Sequence, residues 1–312
     1  MEPKALFDLH CDTLTTYMDS PRSLNVPTAH FSLDQIPKGV SCAQCTAVFI
    51  PDDTAPENRL LRYERCLASL RAQAGERLAL CQTAEDIESA WSNGKAAAVL
   101  TVENGSLLCG SLSRAEVLAR DGVRMLTLTW NGQNEIGSGH VSHEGLTPFG
   151  KALIPTLERL GIIVDVSHLN DDGFQDLLRV ARVPFAASHS NARRVCGHRR
   201  NLTDDQLRAM AERKCLIGLN FYSPFLREDG QPATREDLLR HLEHMLNLVG
   251  EQGLALGSDF DGADLPPQLD SSEDECSFGR FLLDRGYGTE LVENLLWRNA
   301  LEFWRAVPPL HG

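Results

Sequence analysis

An apolar run near the N-terminus, Ala5 to His10, closes on His10-Cys11-Asp12. Residues two apart on a strand point to one face, so this imidazole and carboxylate can converge on a single ion. Nitrogen from His and oxygen from Asp suit zinc or a similar divalent metal. One HxD tripeptide is a weak signal. It gains weight because later apolar runs close on Glu103, Trp130, His168, His189, Tyr222 and Asp259, with Asp261 two residues further on.

These residues must be carried by strands. Short runs rich in Val, Ile, Leu and Ala alternate with helical stretches. The candidate strands are Ala5 to His10, Cys42 to Ile50, Ala96 to Glu103 and Arg124 to Trp130, then Gly161 to His168, Val183 to His189, Cys215 to Tyr222 and Leu254 to Asp259. Helices are expected at Glu57 to Ala74, after Thr83 and Ser111, at a capping box opening on Thr203, and at Thr234 to Gly250 and Thr289 to Trp304. Near-continuous apolar strands between helices imply a parallel sheet covered on both faces. Eight such units favour a single α/β domain, residues 1–312, folded as a closed (β/α)8 TIM-like barrel. Its active site would sit at the C-terminal ends of the strands. An open doubly wound sheet is the alternative, but no GxGxxG fingerprint follows the first strand. In a barrel all of these strand-end residues would gather around one rim, bringing five potential metal ligands together although they are far apart in sequence. Thr13 to Val40 is expected to run as a long irregular loop over the barrel mouth.

The 312 residues carry a formal charge of -13, which argues against a nucleic-acid partner. No apolar stretch is long enough to span a bilayer, and the N-terminus lacks the basic-then-apolar pattern of a secretory signal. With nine scattered cysteines, an odd number, a reduced cytoplasmic setting is expected. Cys42 and Cys45 lie three apart on one candidate strand, so their thiols should diverge as core residues rather than form a redox pair. His241 and His244 read as helix-surface residues, while His30, His198 and His311 have no evident partners in the sequence.

The strand-end motifs resemble those of the renal, or membrane, dipeptidase family, a branch of the metal-dependent amidohydrolase superfamily. The matching stretches are Phe7-Asp-Leu-His-Cys-Asp-Thr-Leu14, Val102-Glu-Asn-Gly105, Arg124-Met-Leu-Thr-Leu-Thr129, Asp165-Val-Ser-His168, Ser188-His-Ser190, Arg199-Arg-Asn201, Asn220-Phe-Tyr222 and Gly257-Ser-Asp-Phe-Asp-Gly262. They occur in family order over nearly the whole chain. The resemblance implies a dipeptidase (a zinc metalloprotease) with two zinc ions, other divalent metals being compatible with the same ligands. His10 and Asp12 would hold one ion, His168 and His189 the other, and Glu103 would bridge them. Metals sharing a water lower its pKa and polarise the amide carbonyl.

By motif position, Asp259 would relay the proton, the alternative being a strand-end carboxylate that caps backbone N–H groups. Arg200 would pair with the free carboxylate of a small dipeptide, the alternative being a solvated arginine. Tyr222 would contact substrate or serve as a rim aromatic. Trp130 departs from the family, which has a histidine there to donate to the developing oxyanion. Indole can donate but carries no imidazolium charge. His140, in the glycine-rich loop Asn131 to Thr147, is the expected substitute catalytic donor, with Gly137, Gly139 and Gly145 giving it flexibility and Trp130 shaping the pocket. Family analogy also implies a homodimer and D-residues on the carboxyl side of the substrate. The alternatives are another amidohydrolase acting on acylated amino acids or lactams, and a metal-containing peptide-binding protein with impaired catalysis.

Overall fold

The computed structural model describes residues 3–307, so His311 lies outside the described residues. Its strands are β1 (Ala5–Cys11), β2 (Ser41–Phe49), β3 (Leu78–Leu80), β4 (Ala96–Glu103), β5 (Met125–Thr127), β6 (Ile163–Asp165), β7 (Ala186–Ala187), β8 (Leu216–Leu219) and β9 (Leu254–Leu256). All pairings between them are parallel. The order β2-β1-β9-β8-β7-β6-β5-β4 closes on itself through β2–β4, giving the eight-stranded (β/α)8 barrel. Only β3 was not expected from the sequence. It adds three residues to the lower half of β4, beside the stretch where β5 pairs with Thr101–Glu103.

Alternation of side chains divides the interior in two. Phe7, Leu9, Cys45, Val99, Met125 and Leu216 fill the barrel, floored by the fully buried Trp304 from the C-terminal helix. Leu6, Cys11, Cys42 and Val102 face outward into the layer beneath the surrounding helices. Cys42 and Cys45 are therefore buried free thiols on opposite faces, as expected. The helices begin where side chains can satisfy their first N–H groups: Thr83 with Asp86, Thr203 with Gln206 and Thr234 with Asp237 form reciprocal capping boxes.

The ladders end earlier than the apolar runs. Strands β5 to β9 stop at Thr127, Asp165, Ala187, Leu219 and Leu256, and the next two or three residues leave the sheet. Strand β1 also breaks simple alternation. Asp8 to Cys11 spans one residue more than its partner Gln44 to Thr46, a bulge that swings His10 toward the barrel mouth while Cys11 faces out. The Thr13–Val40 stretch holds a short helix, Thr13–Thr16, and a 3-10 turn, Ser23–Asn25, in an otherwise irregular path. Asp261 ties it down by accepting from Thr13 Oγ1 and the backbone N–H groups of His30 and Phe31.

Candidate metal centre

Six side chains converge at the C-terminal mouth of the barrel. His10 Nε2 lies 3.4 Å from Asp12 Oδ2, 3.6 Å from Glu103 Oε2 and 3.9 Å from Asp259 Oδ1. The other Glu103 oxygen, Oε1, lies 2.8 Å from His168 Nε2 and 3.7 Å from His189 Nε2. Glu103 thus turns one oxygen toward each half of the cluster. All six residues are buried. Asp259, expected to act as a base, also stands within ligand range, because its carboxylate lies close to the His10 imidazole and the Asp12 carboxylate.

The backbone takes unusual forms to present these groups. His168 and Asp259 adopt left-handed conformations, with φ of 72° and 67°, which cost energy for residues bearing a Cβ. Two buried carboxylates steady the strand ends. Asp165, the last residue of β6, accepts from Ser188 N at 2.8 Å, Ser188 Oγ at 2.6 Å, Ser167 N at 3.0 Å and Thr127 Oγ1 at 2.6 Å. Asp8 accepts from His10 N at 2.8 Å, Gln44 Nε2 at 3.0 Å and Ser258 N at 2.9 Å. In both cases the carboxylate grips the serine that precedes a site residue on the next strand, His189 or Asp259.

The donor set fits divalent metal. His168 Nε2 and His189 Nε2 face one another at 3.0 Å, close to the roughly 3.3 Å that two Zn–N bonds of about 2.0–2.1 Å subtend at a tetrahedral angle. Their remote nitrogens are engaged, His168 Nδ1 with Asn131 Oδ1 at 3.0 Å and His189 Nδ1 with Ser188 Oγ at 2.7 Å, which orients both Nε2 atoms. Asp12 Oδ1 is buried without a protein partner. Burial holds the His168 and His189 imidazoles well below their ordinary pKa, helped by the Arg200 charge, so both are neutral donors. Burial opposes charge on His10 too, but Asp12, Glu103 and Asp259 raise it to about 10. Burial, then Asp12, pushes Glu103 well above the carboxylate range. The excess buried negative charge that keeps a proton on His10 would equally hold a divalent cation.

Above these groups lies a cavity of about 760 Å3, lined by Trp130, Asn131, His140, His198, Tyr222 and Phe225 and by Thr16, Tyr17 and His30. Trp130 packs on Phe49 at 5.0 Å between ring centroids. His140 is half-buried, with Nδ1 enclosed and unpartnered, and burial lowers its pKa to about 4. A Cβ on Gly139 in the same loop would meet Trp130 O at 1.9 Å, so Gly139 serves close packing of the loop on Trp130. Arg199 is exposed, whereas Arg200 is buried, with Nε unpartnered and the guanidinium 5.3 Å from the Phe225 ring centre. A solvated Arg200 is therefore not what the chain builds.

Four other histidines behave differently from their sequence reading. His241 is not a surface residue. It is fully buried, accepting from Ala192 N through Nδ1 and bonding Leu226 O through Nε2. His30 Nδ1 accepts from Asp261 N, and His198 Nδ1 accepts from Arg200 N. His244 is half-buried and pairs with Asp204 at 2.7 Å. Asp8, Asp165 and Ser188 were not singled out beforehand, although each lies inside a strand-end motif, where a polar residue in an apolar run is the available signal.

A parallel barrel with buried histidines and carboxylates gathered over its strand ends defines a metal-dependent barrel enzyme. More narrowly, the chain belongs to the membrane dipeptidase family, peptidase family M19, whose sequence profile matches residues 1–311. It is 35% identical over 269 residues to an uncharacterised protein in the pqqA 5' region of Klebsiella pneumoniae, covering 83% of this chain and 98% of that one. It is 31% identical over 239 residues to the dipeptidase tcpJ of Claviceps purpurea, covering 74% of this chain and 56% of that protein. A metallo peptidase from Rhodobacter sphaeroides, solved with a phosphinate mimic of the dipeptide L-Ala-D-Ala, superposes with a TM-score of 0.90 at 28% identity, over 98% of this chain and 100% of that one. Among the described residues, no helix is long and apolar enough to cross a membrane.

Proposed function

We propose that this chain is a two-zinc dipeptidase that cleaves small dipeptides with a free C-terminus, including those with a D-residue on the carboxyl side. The observation that carries the two-ion reading is Glu103, whose Oε2 faces His10 and whose Oε1 faces His168 and His189. His10 and Asp12 would hold one ion, His168 and His189 the other, and Glu103 both. Bound there, the metals would lower the pKa of a shared water and polarise the scissile carbonyl. The phosphinate mimic of L-Ala-D-Ala held by the Rhodobacter sphaeroides relative supports the substrate class.

The chain's own groups do the rest. Asn220 Nδ2 fixes Asp259 Oδ2 at 3.0 Å, leaving Oδ1 to take the proton of the attacking water and return it to the departing amine. Arg200, buried with an unpartnered Nε–H, has the form of an anchor for the substrate's carboxylate. His140, neutral at physiological pH and lining the cavity, donates to the carbonyl oxygen as charge develops, while Trp130 walls the pocket and Tyr222 contacts substrate. The test is turnover of L-Xaa-L-Xaa and L-Xaa-D-Xaa panels by metal-loaded protein. Hydrolysis of unblocked dipeptides is expected. No hydrolysis of any panel member with both metals bound would overturn the proposal.

A further inference from the structure

We propose that a second cavity, adjoining the metal cavity at Tyr222, receives the side chain of the substrate's carboxyl-side residue and selects large apolar or aromatic groups. This inference rests on the dipeptidase reading and adds a specificity to it. The cavity is an open one of about 820 Å3 and shares His198, Tyr222 and Asp264 with the lining of the metal cavity. Its position identifies which end of the substrate it meets. Phe225, beneath the Arg200 guanidinium, packs on His198 at 4.6 Å and on Tyr222 at 4.9 Å between ring centroids. The carboxylate anchor and the partition between the cavities are thus one cluster, so the residue carrying the carboxylate lies beside the partition.

The lining indicates the chemistry. Its polar groups are mostly occupied by the protein itself. Arg227 pairs with Asp229 and Asp237, Glu228 accepts from Gly197 N, Ser223 Oγ accepts from Ala233 N, and the Cys196 thiol donates to Pro224 O. The polar side chains with free capacity, Glu228, Gln231 and Asp264, are all exposed at its rim. The surfaces left to a ligand are the rings of Pro224, Pro266, Pro267 and Tyr222 and the side chain of Leu265. Such surfaces reward burial of apolar area.

The experiment measures kcat/KM of the metal-loaded enzyme on Ala-Gly, Ala-Ala, Ala-Leu, Ala-Phe and Ala-Trp, each chiral partner in L and D form, with Phe-Ala and Trp-Ala as reversed controls. We expect a rise of roughly 10- to 100-fold from Ala-Gly to Ala-Phe in at least one configuration, and no such rise in the reversed pair. Pro224→Trp, which fills the chamber, and Leu265→Asp, which charges it, should each bring the Ala-Phe to Ala-Gly ratio toward one. The ratio is independent of how much of a variant folds. A flat series in both configurations, or a ratio that survives both substitutions, overturns the chamber assignment while leaving the dipeptidase reading intact. No turnover of any dipeptide overturns both.

Discussion

Arg200 and His140 show what a single side chain's surroundings reveal about its work. A guanidinium that is 4% exposed, with an unpartnered Nε, is costly unless an anion completes it. Arg200→Ala should therefore lower kcat/KM on free dipeptides by roughly 30-fold or more, and penalise C-terminally amidated dipeptides much less. Equal losses on both would show a general structural defect. For His140, replacement by Asn should reduce kcat by roughly 10²-fold if it donates to the oxyanion, with metal content and melting temperature unchanged. Native turnover in that variant would eliminate the role. The five proposed ligands were legible because each ends an apolar run. His30 and His198 were not, because their partners are backbone N–H groups that only the folded loops bring near, in one case 231 residues away in the chain.

At the scale of elements, the site depends on strand ends that leave the sheet in a controlled way. Asp8 and Asp165 each bond the serine N–H just before Asp259 and His189 on a neighbouring strand. Removing the Asp165 carboxylate would leave the Ser188 and Ser167 N–H groups buried without an acceptor. Asp165→Ala should then destabilise the protein by roughly 3 kcal/mol or more, and weaken metal binding at His168 and His189 although no ligand is changed. Urea denaturation and metal titration check this, and a native midpoint with native affinity would contradict it. Hydrophobic runs marked all eight barrel strands, because a strand buried on both faces needs them. They could not mark where pairing stops or where β1 bulges, since those features depend on cross-strand bonds from Asp8 and Asp165.

For the whole molecule, burial of neutral histidines links folding to pH. Burial holds the His241 imidazole down to about 4, from 6.5 for the free side chain. Between these values the unfolded chain binds more protons, so the contribution is full above pH 6.5 and is lost as pH falls toward 4. The loss should be about 2–3 kcal/mol for this one buried group. His241→Gln should flatten the decline in urea midpoint between pH 7 and 4.5, and an unchanged slope would contradict the assignment. Barrel closure itself was legible from eight alternating units; the burial of His241 was signalled too, by Leu238 three residues before it and Met245 four after, which put it on the apolar face of its helix. In the proposed enzyme, one closed barrel brings distant residues into a site for two ions and one dipeptide. Titrating metal-free protein with zinc while following hydrolysis of an unblocked dipeptide measures both at once. Activity should saturate at two equivalents per chain, and Glu103→Gln should lose tight binding of the pair together with most turnover. Saturation at one equivalent, or a Glu103→Gln protein that holds two zinc ions and turns over normally, would contradict it.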